Sequence, residues 1–274
     1  MKTIVTRTIS GAVFVFLVIF SMYWNKFAFA GIFMVFTAIG LMEFYRMATN
    51  ETVKPQKVSG VISGALSYIA VALFAHNLVD YRVFFILLPV FCFIIISELY
   101  RNKEHPFTNI AMTLFGICYV AFPLAALNFF FSPFLLRGES NPGLLLSFFI
   151  ILWTSDTMAY LSGRTFGKHH LFERISPKKT WEGSIGGALF GVVAAWIITL
   201  FLPEFSLIPL IIISIIIIVF GTLGDLAESM LKRSAGVKDS GTIMPGHGGI
   251  LDRFDGVLLA APAVLFYLLL QKLF

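Results

Sequence analysis

Residues 207–223 read LIPLIIISIIIIVFGTL, a stretch without a single charge. Polar and apolar residues do not alternate in it, as they would in a barrel strand. Its length approaches the roughly 20 residues that carry a helix across a bilayer. Eight more runs of the same character stand at residues 9–24, 27–42, 58–74, 83–99, 110–131, 144–160, 185–202 and 257–270. Flanking Ser, Thr and Gly can extend the shorter ones. The run at 257–270 is expected to begin inside the Asp-rich motif before it. The expected fold class is therefore all-α, a polytopic integral membrane protein with about nine transmembrane helices.

Composition agrees. Of 274 residues, 58% are apolar, only 13% are charged, and 31 are Phe. A soluble domain of this size could not hide so much apolar side chain. That excludes a soluble enzyme, a disordered chain and a disulfide-stapled secreted domain. Cys92 and Cys118 lie in apolar runs and are read as small core or lipid-facing residues without a disulfide or metal role. The start of the chain resembles a signal peptide, with basic residues before an apolar run. No small-x-small cleavage pattern follows cleanly and further spans come at once, so it is read as a retained first helix.

The net charge of +5 does not point to nucleic acid, because Lys and Arg fill short gaps between apolar runs. With nine spans and the N-terminus inside, the inner side collects Lys2, Arg7, Arg46, Lys54, Lys57, Arg101, Lys103, Arg164, Lys168, Arg174, Lys178, Lys179, Lys232, Arg233, Lys238 and Arg253. The outer side has only Lys26, Arg82, Arg137 and Lys272. This bias predicts a cytoplasmic N-terminus and cytoplasmic long polar connections. Nine of the fifteen acidic residues lie beyond position 150. Two regions are expected: residues 1–142 as a transmembrane scaffold, and 143–274 as a catalytic region with polar connections at about 164–183 and 229–255.

Within the second region, Asp156 interrupts apolar sequence, and an intramembrane carboxylate demands a partner or a duty. A structural pair, with Arg164 for example, and a metal or substrate contact are both open. Asp225 and Glu228 share a helix face, and Lys232 can pair with Glu228 at i,i+4. Gly221 and Gly224 beside them allow close approach of a helix or a ligand. Residues 229–255 read SMLKRSAGVKDSGTIMPGHGGILDRFD. Backbone N–H groups of its glycine turn, with Lys and Arg, suit phosphate oxygens. Asp252 and Asp255, on one helix face, are hard ligands of the kind Mg2+ prefers. The connection 163–187, GRTFGKHHLFERISPKKTWEGSIGG, adds Lys178 and Lys179. Its adjacent His169 and His170 lack the spacing of a shared metal face.

The 27 residues from Ser229 to Asp255 resemble the signature of the phosphatidate cytidylyltransferase (CDP-diacylglycerol synthase) family. GDLAESMLKR (224–233), SDTMAYLSGRTFGK (155–168) and SPKKTWEGSIGG (176–187) are similar to family segments as well. The first 150 residues match only as a series of hydrophobic spans. The resemblance implies a Mg2+-dependent membrane enzyme that transfers CMP from CTP to phosphatidic acid, releasing pyrophosphate. It implies a homodimer in a bacterial-type inner membrane with its site open to the cytoplasm. By motif, Asp225 and Asp252 become metal ligands, with Asp255 in the same signature. Lys232, Arg233, Lys238, Lys178 and Lys179 become phosphate contacts. His247 sits in the glycine turn, its role open, and Asp239, Arg253, Asp156 and Ser155 are further binding candidates. Polyprenol kinases and archaeal lipid cytidylyltransferases share parts of the acidic pattern. A transporter would place its charges near the midplane of several helices instead.

Overall fold

The computed structural model describes residues 2–132, 141–246 and 248–273. Arg137 and His247 lie outside the described residues, as do the side chains of Lys2, Arg7 and Lys272. Nine helices run through the described residues: α1 (Lys2–Trp24), α2 (Lys26–Ala48), α3 (Lys57–Ala75), α4 (Tyr81–Leu99), α5 (Pro106–Phe131), α6 (Gly143–Phe166), α7 (Trp181–Phe201), α8 (Leu207–Ser234) and α9 (Leu251–Leu273). Eight of them are long and apolar enough to cross a bilayer, and the first contains a shorter apolar helix, Thr8–Trp24. Every apolar run of the sequence thus lies on a helix. The last one does begin inside the Asp-rich motif, at Leu251.

Helix boundaries follow local chemistry. Asn25 caps α2, its Oδ1 accepting from the N–H groups of Phe27 (2.9 Å) and Ala28 (2.8 Å), donors that a helix start leaves orphaned. Helix α5 is not uniform: Ile117–Ala121 widens into a π turn ahead of Pro123. Proline has no N–H to donate to Tyr119, and the widened turn accommodates the missing bond.

One departure from an all-helical chain lies in the polar connection after α6. There β1 (His170–Phe172) and β2 (Ser176–Thr180) form an antiparallel hairpin, His170 opposite Thr180 and Phe172 opposite Ser176. Pro177 is tolerated because a two-stranded ribbon has only edges.

The chain forms two compact units. One holds everything up to Asn141 together with Ser234–Phe254, and the other Pro142–Arg233 together with the chain from Asp255. In the first unit Phe254 packs edge-on against Phe14 (centroids 5.4 Å) and Phe33 (5.5 Å), so the signature's own aromatic sits in a Phe-rich core. The same unit holds a buried polar network. Glu98 accepts from Gln56 Nε2 (2.7 Å), Asn109 Nδ2 (2.9 Å) and Arg101 Nη1 (2.6 Å).

In the second unit, α6 and α7 approach closely in antiparallel fashion. A Cβ on Gly187 would stand 2.7 Å from the Ser155 carbonyl oxygen, and one on Gly183 2.7 Å from that of Ala159. Small residues four apart on both helices let the backbones meet. In lipid, dispersion and close packing replace the missing hydrophobic drive.

Candidate functional site

In the second unit three helices bring carboxylates together. A Cβ on Gly224 of α8 would stand 2.5 Å from the Asp255 carbonyl oxygen and 3.2 Å from Gly256 Cα on α9. Leu152 of α6 fills the adjoining space, its Cδ1 2.9 Å from the Cβ position of Gly221 and 3.2 Å from that of Gly256. The glycines beside Asp225 therefore admit another helix. Asp225 follows Gly224, Asp255 precedes Gly256, and Asp156 lies one turn beyond Leu152. Consequently Asp255 is within electrostatic reach of Asp225, Glu228 and Asp156. Asp156 in turn faces Asp225 and Lys179.

Two lysines enter this group. Lys179 Nζ stands 2.5 Å from Asp225 Oδ2, and Lys232 Nζ 2.7 Å from Glu228 Oε2. Ser229 donates to Asp225 Oδ1 at 3.3 Å. Successive residues of a strand point to opposite faces. Lys179 on β2 therefore turns to Asp225, whereas Lys178 is exposed. The hairpin is tied to α7 by Glu182, which accepts from the N–H groups of Lys168 (3.1 Å) and His169 (3.2 Å) and meets His169 Nδ1 at 2.5 Å.

Arg233, Lys238 and Asp239 are exposed. Asp156 makes no hydrogen bond or ion pair among the described residues, with Arg164 or any other. Ser155 is buried, its hydroxyl donating to the Leu152 carbonyl at 2.9 Å.

In the first unit the signature turn folds around two carboxylates. Asp252 Oδ2 accepts from Ser240 N (2.9 Å), Ser240 Oγ (2.9 Å) and Gly249 N (2.7 Å). Glu43, from α2, accepts from Ile250 N at 3.1 Å on Oε1 and from Leu251 N at 3.0 Å on Oε2. Ser240 Oγ also lies 3.2 Å from Glu43 Oε2. A Cβ on Gly241 or Gly249 would run into the Glu43 carboxylate, and one on Gly248, whose φ is +85°, into that of Asp252. The glycine turn is expected from sequence to offer its N–H groups to phosphate. Those of Gly249, Ile250 and Leu251 instead face protein carboxylates, which occupy the electropositive start of α9. Half-buried Arg253 follows Asp252 in its first turn.

Glu43 is the residue that sequence reading passed over. The first five runs hold almost no charge and read as scaffold, yet Glu43 is 1% exposed and Glu98 4%. The available signal was a lone acidic residue directly after the apolar run 27–42.

Among the described residues no three His, Cys, Asp or Glu side chains are gathered closely enough to cage an ion. Mg2+ does not need such a cage: it keeps several waters and takes one or two carboxylates plus substrate phosphates. Asp225 is a hard oxygen donor of that kind, and the neighbouring charges of Asp156 and Asp255 favour a cation beside it. The donor chemistry fits.

A multi-pass helical membrane protein in which carboxylates of three helices meet lysines is the class so defined. The chain matches the cytidylyltransferase family over residues 5–271. It is 33% identical to a phosphatidate cytidylyltransferase of Bacillus subtilis, across 98% of this chain and 97% of that protein. It is 41% identical to the phosphatidate cytidylyltransferase of Staphylococcus saprophyticus over 65% of this chain, a match spanning 66% of that relative's length. A third such protein, from Haemophilus influenzae, is 46% identical over 43% of each chain. The chain belongs to the phosphatidate cytidylyltransferase family. It is a multi-pass membrane protein of bacterial type.

Proposed function

We propose that this chain transfers CMP from CTP to phosphatidic acid, giving CDP-diacylglycerol and pyrophosphate for phospholipid synthesis. The observation that carries the reading is the convergence of Asp156, Asp225 and Asp255 with Lys179 and Lys232 in a chain that matches this family along its length.

A phosphate oxygen of phosphatidic acid attacks the α-phosphorus of CTP. The new P–O bond forms as the bond from the α-phosphorus to the bridging oxygen breaks, and pyrophosphate leaves. No strong general base is needed, because the attacking phosphate is already ionised near neutral pH. Lys179 and Lys232 stabilise charge on the triphosphate and its leaving group, and Arg233, Lys238 and Lys178 are proposed as further phosphate contacts. Asp225 and Asp252 are the proposed Mg2+ ligands, and Asp255 and Asp156 add negative potential. Bound Mg2+ would offset the triphosphate charge and polarise the α-phosphate. Asp239, Arg253, Ser155 and His247 stay proposed members of the binding set. The lipid chains remain in the bilayer, so the charged groups belong at its edge. The bias of basic residues supports a cytoplasmic N-terminus and site, in the inner membrane. A homodimer is proposed on the resemblance, and no nucleic acid is involved.

The test is pyrophosphate release by the detergent-purified chain with CTP, Mg2+ and phosphatidic acid. Controls omit the lipid, replace it with a polyprenol, or replace CTP with ATP. Product that depends on both CTP and phosphatidic acid supports the reading. Turnover on polyprenol alone moves the chain to the kinases. No nucleotide chemistry under any condition reopens transport.

A further inference from the structure

Glu43 has no part in the proposed chemistry, yet it is a buried carboxylate in an otherwise apolar stretch of α2. An ionised group in such a place is costly unless it is fully hydrogen-bonded. Among the described residues no Lys or Arg pairs with it, and its partners are Ile250 N, Leu251 N and Ser240 Oγ. All three belong to the signature turn and the first turn of α9. Two features tie this contact to Asp252 in particular. Ser240 Oγ stands 3.2 Å from Glu43 Oε2 and 2.9 Å from Asp252 Oδ2. A hydroxyl has one proton, so a single donor serves both carboxylates. The second feature is backbone: Glu43 holds the N–H groups of residues 250 and 251, while Asp252 holds that of 249. The two carboxylates thus take three successive backbone donors that lead into one helix.

We propose that Glu43 is a positioning residue that sets the orientation of Asp252 and its affinity for a divalent cation. The proposal rests on Asp252 being a metal ligand. Glu43 acts in two ways. It clamps the turn so that Asp252 is held in one rotamer by Ser240 and Gly249. It also places a second negative charge behind the ligand, which raises the ligand's attraction for a cation, as outer-shell carboxylates do. Gly241 and Gly249 leave the room that the Glu43 side chain occupies. A segment counted as scaffold by sequence therefore reaches into the machinery.

The test uses the full chain in detergent and reads Mn2+ binding by electron paramagnetic resonance, without nucleotide or lipid. Melting temperature and the half-saturating Mg2+ concentration in turnover are measured beside it. Glu43→Gln is expected to weaken Mn2+ binding by about 10- to 100-fold and to raise half-saturating Mg2+ in parallel. Glu43→Asp, which keeps the charge, should recover part of that loss. Ser240→Ala removes the shared proton, and with it the long contact of Ser240 Oγ with Asp252 N (3.4 Å), and should weaken binding by about 10-fold without a matching loss of melting temperature; it decides the matter if the Glu43 variants do not fold. Asp252→Asn is the control. If it binds Mn2+ like the parent, the ligand reading of Asp252 fails, and the proposal with it. If Asp252→Asn loses Mn2+ while folded Glu43→Gln and Ser240→Ala keep parental affinity, the proposal alone is overturned.

Discussion

Glu98 in the first unit and Asp255 in the second are both carboxylates on apolar helices, and their surroundings are opposite. Glu98 receives Gln56, Asn109 and Arg101, so both its oxygens are met by donors and its charge by a guanidinium. Asp255 receives the N–H of Gly256 at 2.7 Å and faces three other carboxylates. A buried charge that is paired and hydrogen-bonded holds helices in register. Carboxylates pressed against one another raise the free energy of the folded chain until a cation joins them. Acidic residues on apolar helices thus divide into those met by donors and those set against like charges.

The largest effect should come from removing a charge from the group of facing carboxylates. Asp225→Asn is expected to reduce CDP-diacylglycerol formation by about 1000-fold, about 4 kcal/mol of barrier, at an unchanged melting temperature. Parental turnover in that variant would break the comparison at its root. Glu98→Ala should do the reverse. It strands Gln56, Asn109 and Arg101, and should cost about 3 kcal/mol of stability, read as a lowered melting temperature, while the folded fraction keeps its turnover number. A pure activity loss there would place Glu98 with the functional carboxylates. Gly187→Ala drives a Cβ against the Ser155 carbonyl in the α6–α7 seam and should cost about 1–3 kcal/mol, again in melting temperature. Glu228→Gln is expected to be the mildest for turnover, about 10-fold or less, if pairing with Lys232 is its main duty. A loss as deep as that of Asp225→Asn would move Glu228 among the ligands.

The helices were legible in the chain because a bilayer admits few solutions: a long uncharged run has to satisfy its own backbone. Each of the nine runs accordingly lies on a helix, and the family could be recognised from one stretch of 27 residues. The hairpin at His170–Thr180 was hidden, since its strands hold only three and five residues in a polar, histidine- and lysine-containing connection. Lys178 and Lys179 read alike as neighbours, but the pleat sends only Lys179 to Asp225.

The sequence by itself determined the membrane class, the succession of apolar helices and the chemical character of the charged residues between them, all of which follow from local composition and short-range spacing. Only the tertiary structure decided which partner each charge meets. Gly224 and Gly256 admit helix to helix, and the signature turn closes on Glu43, about 200 residues away in the chain. Such pairings depend on which backbones approach within a few ångströms, and residues far apart in sequence carry no local mark of that.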